Sequence, residues 1–343
     1  MPRSQHLLPW RLLTGALFVT CLAAPAGART FWLPEEGSDV IGFVEETLVG
    51  PEDTLLDIAR RYNVGYEEIR LANPALDPWL PGIDKPVVIP GRHVLPQAPR
   101  VGLVLNLAEM RVYYFPEPSA GERSTVITHP VSIGRVDWKT PLGLTRISKK
   151  AHQPSWYPPE SIRAEHAAND DPLPKVVPPG PDNPLGEHAL RLAIPGYLIH
   201  GTNKPFGIGM RVSHGCVRMY PEDIAGLFDI VPVGTKVNII DQPIKAGWDN
   251  GVLYLEAHPA GAVRELNEPL DPTDAVRRIV MATRSSPEMP VDWDQVSRIV
   301  YDLSGTPEPI SQGAVDAPGD EHRAAVQHRS SNVPVSWQRL SER

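Results

Sequence analysis

The chain has 343 residues, 41% of them hydrophobic, enough for one or two domains with a real core plus linkers and tails. With 33 basic against 41 acidic side chains its formal charge is −8, which argues against nucleic acid or a tightly bound anionic membrane as partner. Its 39 prolines are clustered, so long stretches must be irregular or extended.

Residues 1–28 read as a secretory signal peptide. Arg3 and Arg11 supply positive charge, Leu12 to Ala24 is a short apolar run, and Ala26-Gly27-Ala28 is an A-x-A site predicting cleavage before Arg29. The run is too short to span a bilayer comfortably, so no transmembrane segment is expected after cleavage. Cleavage takes away two basic side chains and no acidic one, moving the charge from −8 to −10. It also removes Cys21 and leaves Cys216 as the one thiol of an exported protein. A lone thiol in an oxidising compartment is a reactive group or an intermolecular bridge, and its polar, glycine-rich setting argues against a buried structural role.

Residues 29–42 look like an irregular lead-in. In the next segment Phe43 to Val49 alternates like a strand. Thr54 can cap a helix carrying Leu55, Ile58, Ala59 and Tyr62 on one face, and Asn63-Val64-Gly65 is a turn. Tyr66 to Ala72 reads as a second helix closed by Asn73-Pro74, and Val87 to Pro90 as a strand. This βααβ order over 43–90 resembles the LysM module. The likeness is carried by Asp53-Thr54-Leu55, Ile58-Ala59, Tyr62, Ile69, Ala72-Asn73-Pro74 and Val88-Ile89-Pro90. It departs from the pattern at Glu52-Asp53, where Gly-Asp is usual, and in the long loop from Ala75 to Pro86. The resemblance implies binding to glycan strands; the alternative is a small docking domain without sugar affinity.

Gly91 to Arg100, with Pro96 and Pro99, reads as a linker. A strand-rich domain follows over 99–241. Val101 to Leu107 and Met110 to Phe115 form a hairpin, Thr125 to Ile133 is a third strand, and a Thr140-Pro141-Leu142-Gly143 turn leads into Leu144 to Ser148. Residues 151–190 hold nine prolines and no helical or strand period, and read as a lid or cleft insertion. Ala189 to Ile194 and Tyr197 to His200 are strands around Pro195-Gly196. Pro221 opens a helix with Glu222 and Asp223 in its first turn, and Lys236 to Ile240 closes the domain. In the C-terminal extension, 242–304, Val252 to Ala257 is a strand candidate, and Ala275 to Thr283 and Trp293 to Leu303 are helix candidates. Residues 305–343 are polar and read as a disordered tail.

Reactive chemistry is concentrated between Ile199 and Tyr220. Cys216 must become a thiolate to attack a carbonyl, and a free thiol has a pKa of about 8.5. Two bases are available: His214, two residues away in the Ser213-His214-Gly215-Cys216 run, and His200, sixteen residues upstream at a strand end. Spacing does not choose between them. Backbone N–H groups around Gly215, just before a helix, can form an oxyanion hole, and Arg218 and Arg211 can hold a substrate carboxylate. A zinc site is the rival for a His/His/Cys set, but no C-x-x-C or H-x-x-x-H spacing supports it.

His200-Gly201, the glycine-containing loop and Ser213-His214-Gly215-Cys216-Val217-Arg218 resemble the YkuD-type L,D-transpeptidase family. So do the first hairpin, Ile133-Gly134, the Thr140 turn, Gly180 to Gly186 and Val231 to Thr235. The likeness is nearest the periplasmic branch that attaches Braun-type lipoprotein to peptidoglycan. It implies a mainly β fold: a YkuD-like β-sandwich behind a LysM-like module. It also implies Cys216 as nucleophile, His200 as base oriented by the Gly201 carbonyl, and an oxyanion hole from backbone at His214, Gly215 and Cys216. Arg218 would fix the donor peptide. The implied reaction is thioester formation on a tetrapeptide stem with release of D-Ala, then transfer to a lipoprotein lysine or a neighbouring stem. No metal or cofactor is implied. An L,D-carboxypeptidase using the same acyl-enzyme and a non-catalytic peptidoglycan-binding protein are the alternatives.

Overall fold

A computed structural model describes residues 29–34, 37–135, 137–259 and 270–311. The signal-peptide reading and most of the tail lie outside these residues.

The lead-in is built of strands: β1 (Arg29–Trp32) and β2 (Val40–Gly42). The strand-helix-helix-strand order follows, with β3 (Glu45–Leu48), α1 (Leu55–Arg61), α2 (Tyr66–Ala72) and β4 (Pro86–Ile89). Thr54 caps α1 in a reciprocal capping box with Asp57. β3 and β4 pair antiparallel, and Leu55, Ile58, Ile69 and Ile89 make a small core of their own.

The segment expected to be a linker contains β5 (Arg92–Val94), buried throughout and paired with β2. β1 likewise pairs with Thr125–Thr128, making it the edge of the main sheet. Ile41 and Leu95 pack with Val104, Tyr113 and Val126 on the outer face of that sheet. Both segments are too short to show a period, and their partners are remote in sequence, so local pattern could not reveal them.

The main domain contributes β6 (Gly102–Asn106), β7 (Arg111–Phe115), β8 (Thr125–Pro130), β9 (Ile133–Gly134) and β10 (Gly143–His152). Then come α3 (Glu160–Ala168), β11 (His188–Leu192), β12 (Leu198–His200), β13 (Arg211–Ser213), β14 (Val217–Arg218), α4 (Pro221–Ile230) and β15 (Lys236–Ile240). The nine-stranded order is β1-β8-β7-β6-β15-β10-β11-β12-β14. β10 belongs to both halves. Gly143–Arg146 pairs with β15, the register shifts between Ile147 and Lys149, and the remainder pairs with β11. One core gathers Leu105 and Val237 from the first half, Leu190, Ile199 and Val217 from the second, and Ile224 from α4. This is the sandwich expected, folded about a strand that changes sheets.

The extension consists of β16 (Ile244–Asp249), β17 (Val252–Ala257), α5 (Pro272–Ala282), α6 (Trp293–Asp302) and β18 (Glu308–Pro309). β18 pairs with β17 and Ile310 is fully buried, so the ordered chain runs past the boundary expected near 305. The extension is fastened to the main domain by a buried ionic cluster. Lys245 Nζ lies 2.6 Å from Glu109 and 2.8 Å from Glu256, and His258 Nε2 lies 2.6 Å from Glu256. Burial lowers the pKa of the Lys245 ammonium, but Glu109 and Glu256 outweigh it and hold the group above its ordinary value.

Candidate active site

β12 and β14 pair in parallel, with Ile199 opposite Val217 and His200 opposite Arg218. Ile199 and Val217 point into the main core. Side chains alternate along a strand, so His200, Cys216 and Arg218 share the opposite face. That face lines a cleft of about 510 Å³, which also takes in Ser213 and His214.

His200 is buried, and its Nδ1 lies 2.6 Å from the Gly201 carbonyl. A carbonyl only accepts, so Nδ1 carries the hydrogen and Nε2 is the basic nitrogen. Burial, with the Arg218 charge adding to it, pulls the ring down to about 3, against the Gly201 and Leu185 carbonyls. Cys216 is half-buried, and its thiol donates to the Gly196 carbonyl at 3.6 Å. Burial pushes the thiol up, opposed by a Leu198 backbone bond and by Arg218. Arg218 is lowered by burial, and its Nε is buried without a hydrogen-bond partner.

The turn that presents the thiol is held from inside. Ser213 Oγ accepts from Gly215 N at 3.2 Å and donates to the Cys216 carbonyl. Thr140 Oγ1 donates to the Gly215 carbonyl at 2.9 Å. Gly215 sits at φ +97°, and a Cβ there would stand 3.0 Å from the Tyr197 ring. The Gly215 N–H is thus engaged with Ser213, while that of Cys216 belongs to the residue carrying the thiol.

His214 also lines the cleft, with its ring engaged from α3 and Trp138. Its Nε2 meets Glu165 Oε2 at 3.0 Å, and its ring stands edge-on to Trp138 at 5.1 Å. Burial lowers this histidine, against the pull of Glu165. Glu165 also accepts from Arg135 at 2.7 Å, the contact that chiefly holds its carboxyl below the usual range. Glu165 belongs to α3, the helix that the 151–190 reading missed. Prolines on both sides hid a nine-residue helix with one buried apolar position, Ile162. Trp156, Tyr157, Ile162 and Leu173 of this insertion line the cleft, and Asn183 ties the insertion together. Its side chain donates to the Pro154 and Pro178 carbonyls at 2.8 and 3.1 Å and accepts from Leu185 N at 2.9 Å.

Arg211 does not line the cleft; its charged neighbours are Asp241 and Glu67. Among the described residues, the His/Cys/Asp/Glu trio whose ligand atoms lie within 4.8 Å of one another is His93, Glu109 and Glu256. Lys245 already bridges its two carboxylates. The cleft histidines and thiol form no such cluster.

Residues 100–239 match the model of the YkuD family, described as an L,D-transpeptidase catalytic domain. The chain is 45% identical over 243 residues to the probable L,D-transpeptidase YcfS of Escherichia coli strain K12, covering 69% of this chain and 75% of that protein. It is 41% identical over 251 residues to the probable L,D-transpeptidase YbiS of the same strain, covering 72% and 80%. With that strain's probable L,D-transpeptidase ErfK/SrfK the figure is 38% over 297 residues, covering 84% and 92%.

Proposed function

The chain belongs to the YkuD family of L,D-transpeptidases, and from that premise we propose that Cys216 is its nucleophile and His200 its base. The observation that carries this assignment is the shared face of β12 and β14, with the His200 ring set by the Gly201 carbonyl. His200 Nε2 takes the thiol proton as Sγ bonds to the carbonyl carbon of the third residue of a peptidoglycan tetrapeptide stem. Backbone N–H groups at His214 and Cys216 receive the oxyanion. Collapse breaks the bond to D-Ala, whose nitrogen leaves with the proton from His200, and a thioester remains. An amine then attacks, gives its proton to His200, and forms the new amide as Sγ departs. The amine is a lysine of a Braun-type outer-membrane lipoprotein or the side chain of a neighbouring stem. Arg218, with an unpartnered buried Nε, holds a carboxylate of the donor.

The chain is exported to the periplasm behind the signal at 1–28. No helix among the described residues is long and apolar enough to cross a membrane. The 43–90 unit holds glycan strands, using the exposed Trp79, Leu80 and Ile83 of its long loop. The test is intact-mass analysis of the mature protein with a tetrapeptide stem and a lysine-bearing acceptor peptide. A thioester at Cys216 with D-Ala release, then an amide-linked product, is expected, and Cys216→Ser and His200→Ala abolish it. Free tripeptide without the amide product would make the protein a carboxypeptidase. A Cys216→Ser protein that still released D-Ala would sink the assignment.

A further inference from the structure

We infer that the 43–90 unit is a positioning part of the active site rather than a hinged tether, and that the start of α2 sets the loop presenting Cys216. The inference rests on the reading of Cys216 as nucleophile. A helix start leaves backbone N–H groups without intrahelical partners. Here Tyr66 N donates to the Ile208 carbonyl at 3.0 Å and Glu67 N to the Gly209 carbonyl at 3.3 Å. Both acceptors lie in the chain between His200 and Cys216. Gly65 and Gly209 touch backbone to backbone. At Gly209, with φ +83°, a Cβ would stand 2.2 Å from Tyr66 N. The far side of the loop is held by β9 and its neighbour, through Ser132 Oγ on the Gly207 carbonyl at 2.6 Å and the pairing of Arg211 with Ile133. The loop is thus clamped between α2 and β9 seven residues before the thiol.

The clamp is itself anchored. Glu68 accepts from Gly65 N, closing α2, and takes both Arg111 Nε and Nη2 at 2.8 Å from β7. Downstream of the thiol, Asn63 Nδ2 meets the Asp223 carboxylate at 2.7 and 2.8 Å, and Arg60 meets Glu222 at 2.8 and 3.0 Å. Tyr220 OH donates to the Val64 carbonyl at 3.3 Å. The unit therefore grips the thiol-bearing stretch before and after Cys216, with no hinge between.

Tyr66→Pro in the full-length protein tests this. Proline is tolerated at the first helical position, and Gly65 already has the extended backbone a following proline requires. The change removes the N–H that meets Ile208 and puts ring carbon in its place. Tyr66→Ala controls for the lost side chain. The readouts are kcat and KM on a short soluble tetrapeptide, and the pH profile of Cys216 alkylation. Tyr66→Pro is expected to lower kcat by on the order of 10- to 100-fold, the cost of displacing a reacting group by about 1 Å. Its alkylation profile moves, while Tyr66→Ala keeps the parent values. Alkylation uses no donor, so this result is independent of whether acyl transfer occurs. A Tyr66→Pro protein matching Tyr66→Ala in both readouts would overturn the proposal. Should the proline variant not fold, hydrogen exchange on the unmodified protein decides. Amides of 55–72 opening together with 208–213 support the clamp, and faster, separate opening refutes it.

Discussion

Titrating Cys216 with iodoacetamide across pH, with thiolate ultraviolet absorbance followed in parallel, distinguishes a resting thiolate–imidazolium pair from a resting neutral pair. Burial and Arg218 pull His200 down to about 3. Burial pushes the Cys216 thiol up, against a Leu198 backbone bond and Arg218. A ring lowered to about 3 and a thiol held above its ordinary range both favour the neutral pair. For His200 alone, the drop from about 6.5 to about 3 sets on the order of 5 kcal/mol against the imidazolium, at about 1.36 kcal/mol per unit. The signs are consistent: a lowered histidine is uncharged above its pKa, and a raised thiol stays protonated to higher pH. The alkylation rate should therefore rise along a single limb centred above about pH 8.5, with no inflection near the ordinary histidine value of about 6.5. Arg218→Met should move the limb upward, because the guanidinium favours the thiolate. Thiolate absorbance or a reactive plateau between about pH 5 and 7 would refute the reasoning and show an ion pair of the kind found beside low-pKa thiols.

Two further perturbations probe the scaffold. Lys245→Met leaves Glu109 and Glu256 buried without their cation. It should cost about 3–5 kcal/mol in denaturant titration, as removal of one partner from a buried pair does; a loss below about 1 kcal/mol would mean the carboxylates find other partners. In the parent, Glu256 is held below its ordinary value by Lys245 against the opposing effect of burial, so its contribution is present at neutral pH and lost as pH falls through the folded-state value. Asn183→Ala removes the buried side chain that ties the cleft insertion together. It should open 154–184 to limited proteolysis and raise KM for the donor, with a stability loss of about 1–3 kcal/mol; an unchanged cleavage pattern would refute that role.

The chain was legible where chemistry or period is local. Thr54, Ile58 and Ile69 announce the βααβ unit, and two runs flanking a short turn announce β6 and β7. His200, Ser213 and Cys216 stand out because reactive residues and glycine cluster between strands. What escaped depends on partners far away in sequence. Arg29 pairs with Thr128 and Val40 with Val94, and neither segment is long enough to betray a strand. α3 was masked by flanking prolines. Glu222 and Asp223 looked like first-turn acids complementing a helix dipole, yet they bond Arg60 and Asn63 of the 43–90 unit. Spacing could not rank His200 over His214. The reading of His200 as base rests on the face it shares with Cys216 and on the Gly201 carbonyl that sets its ring.

The position of β15 has a consequence for how the protein comes into being. It lies between β6 and β10, and its register joins Val237–Ile240 to Leu103–Asn106. As the chain is synthesised from its N-terminus, the thiol is made before the strand that joins the two halves of the sheet. Pairing across so long a stretch of sequence is slow and comes late. A chain cut anywhere between Tyr220 and Lys236 would carry His200, Cys216 and Arg218 complete, yet have no middle strand to bring the sheet together around them.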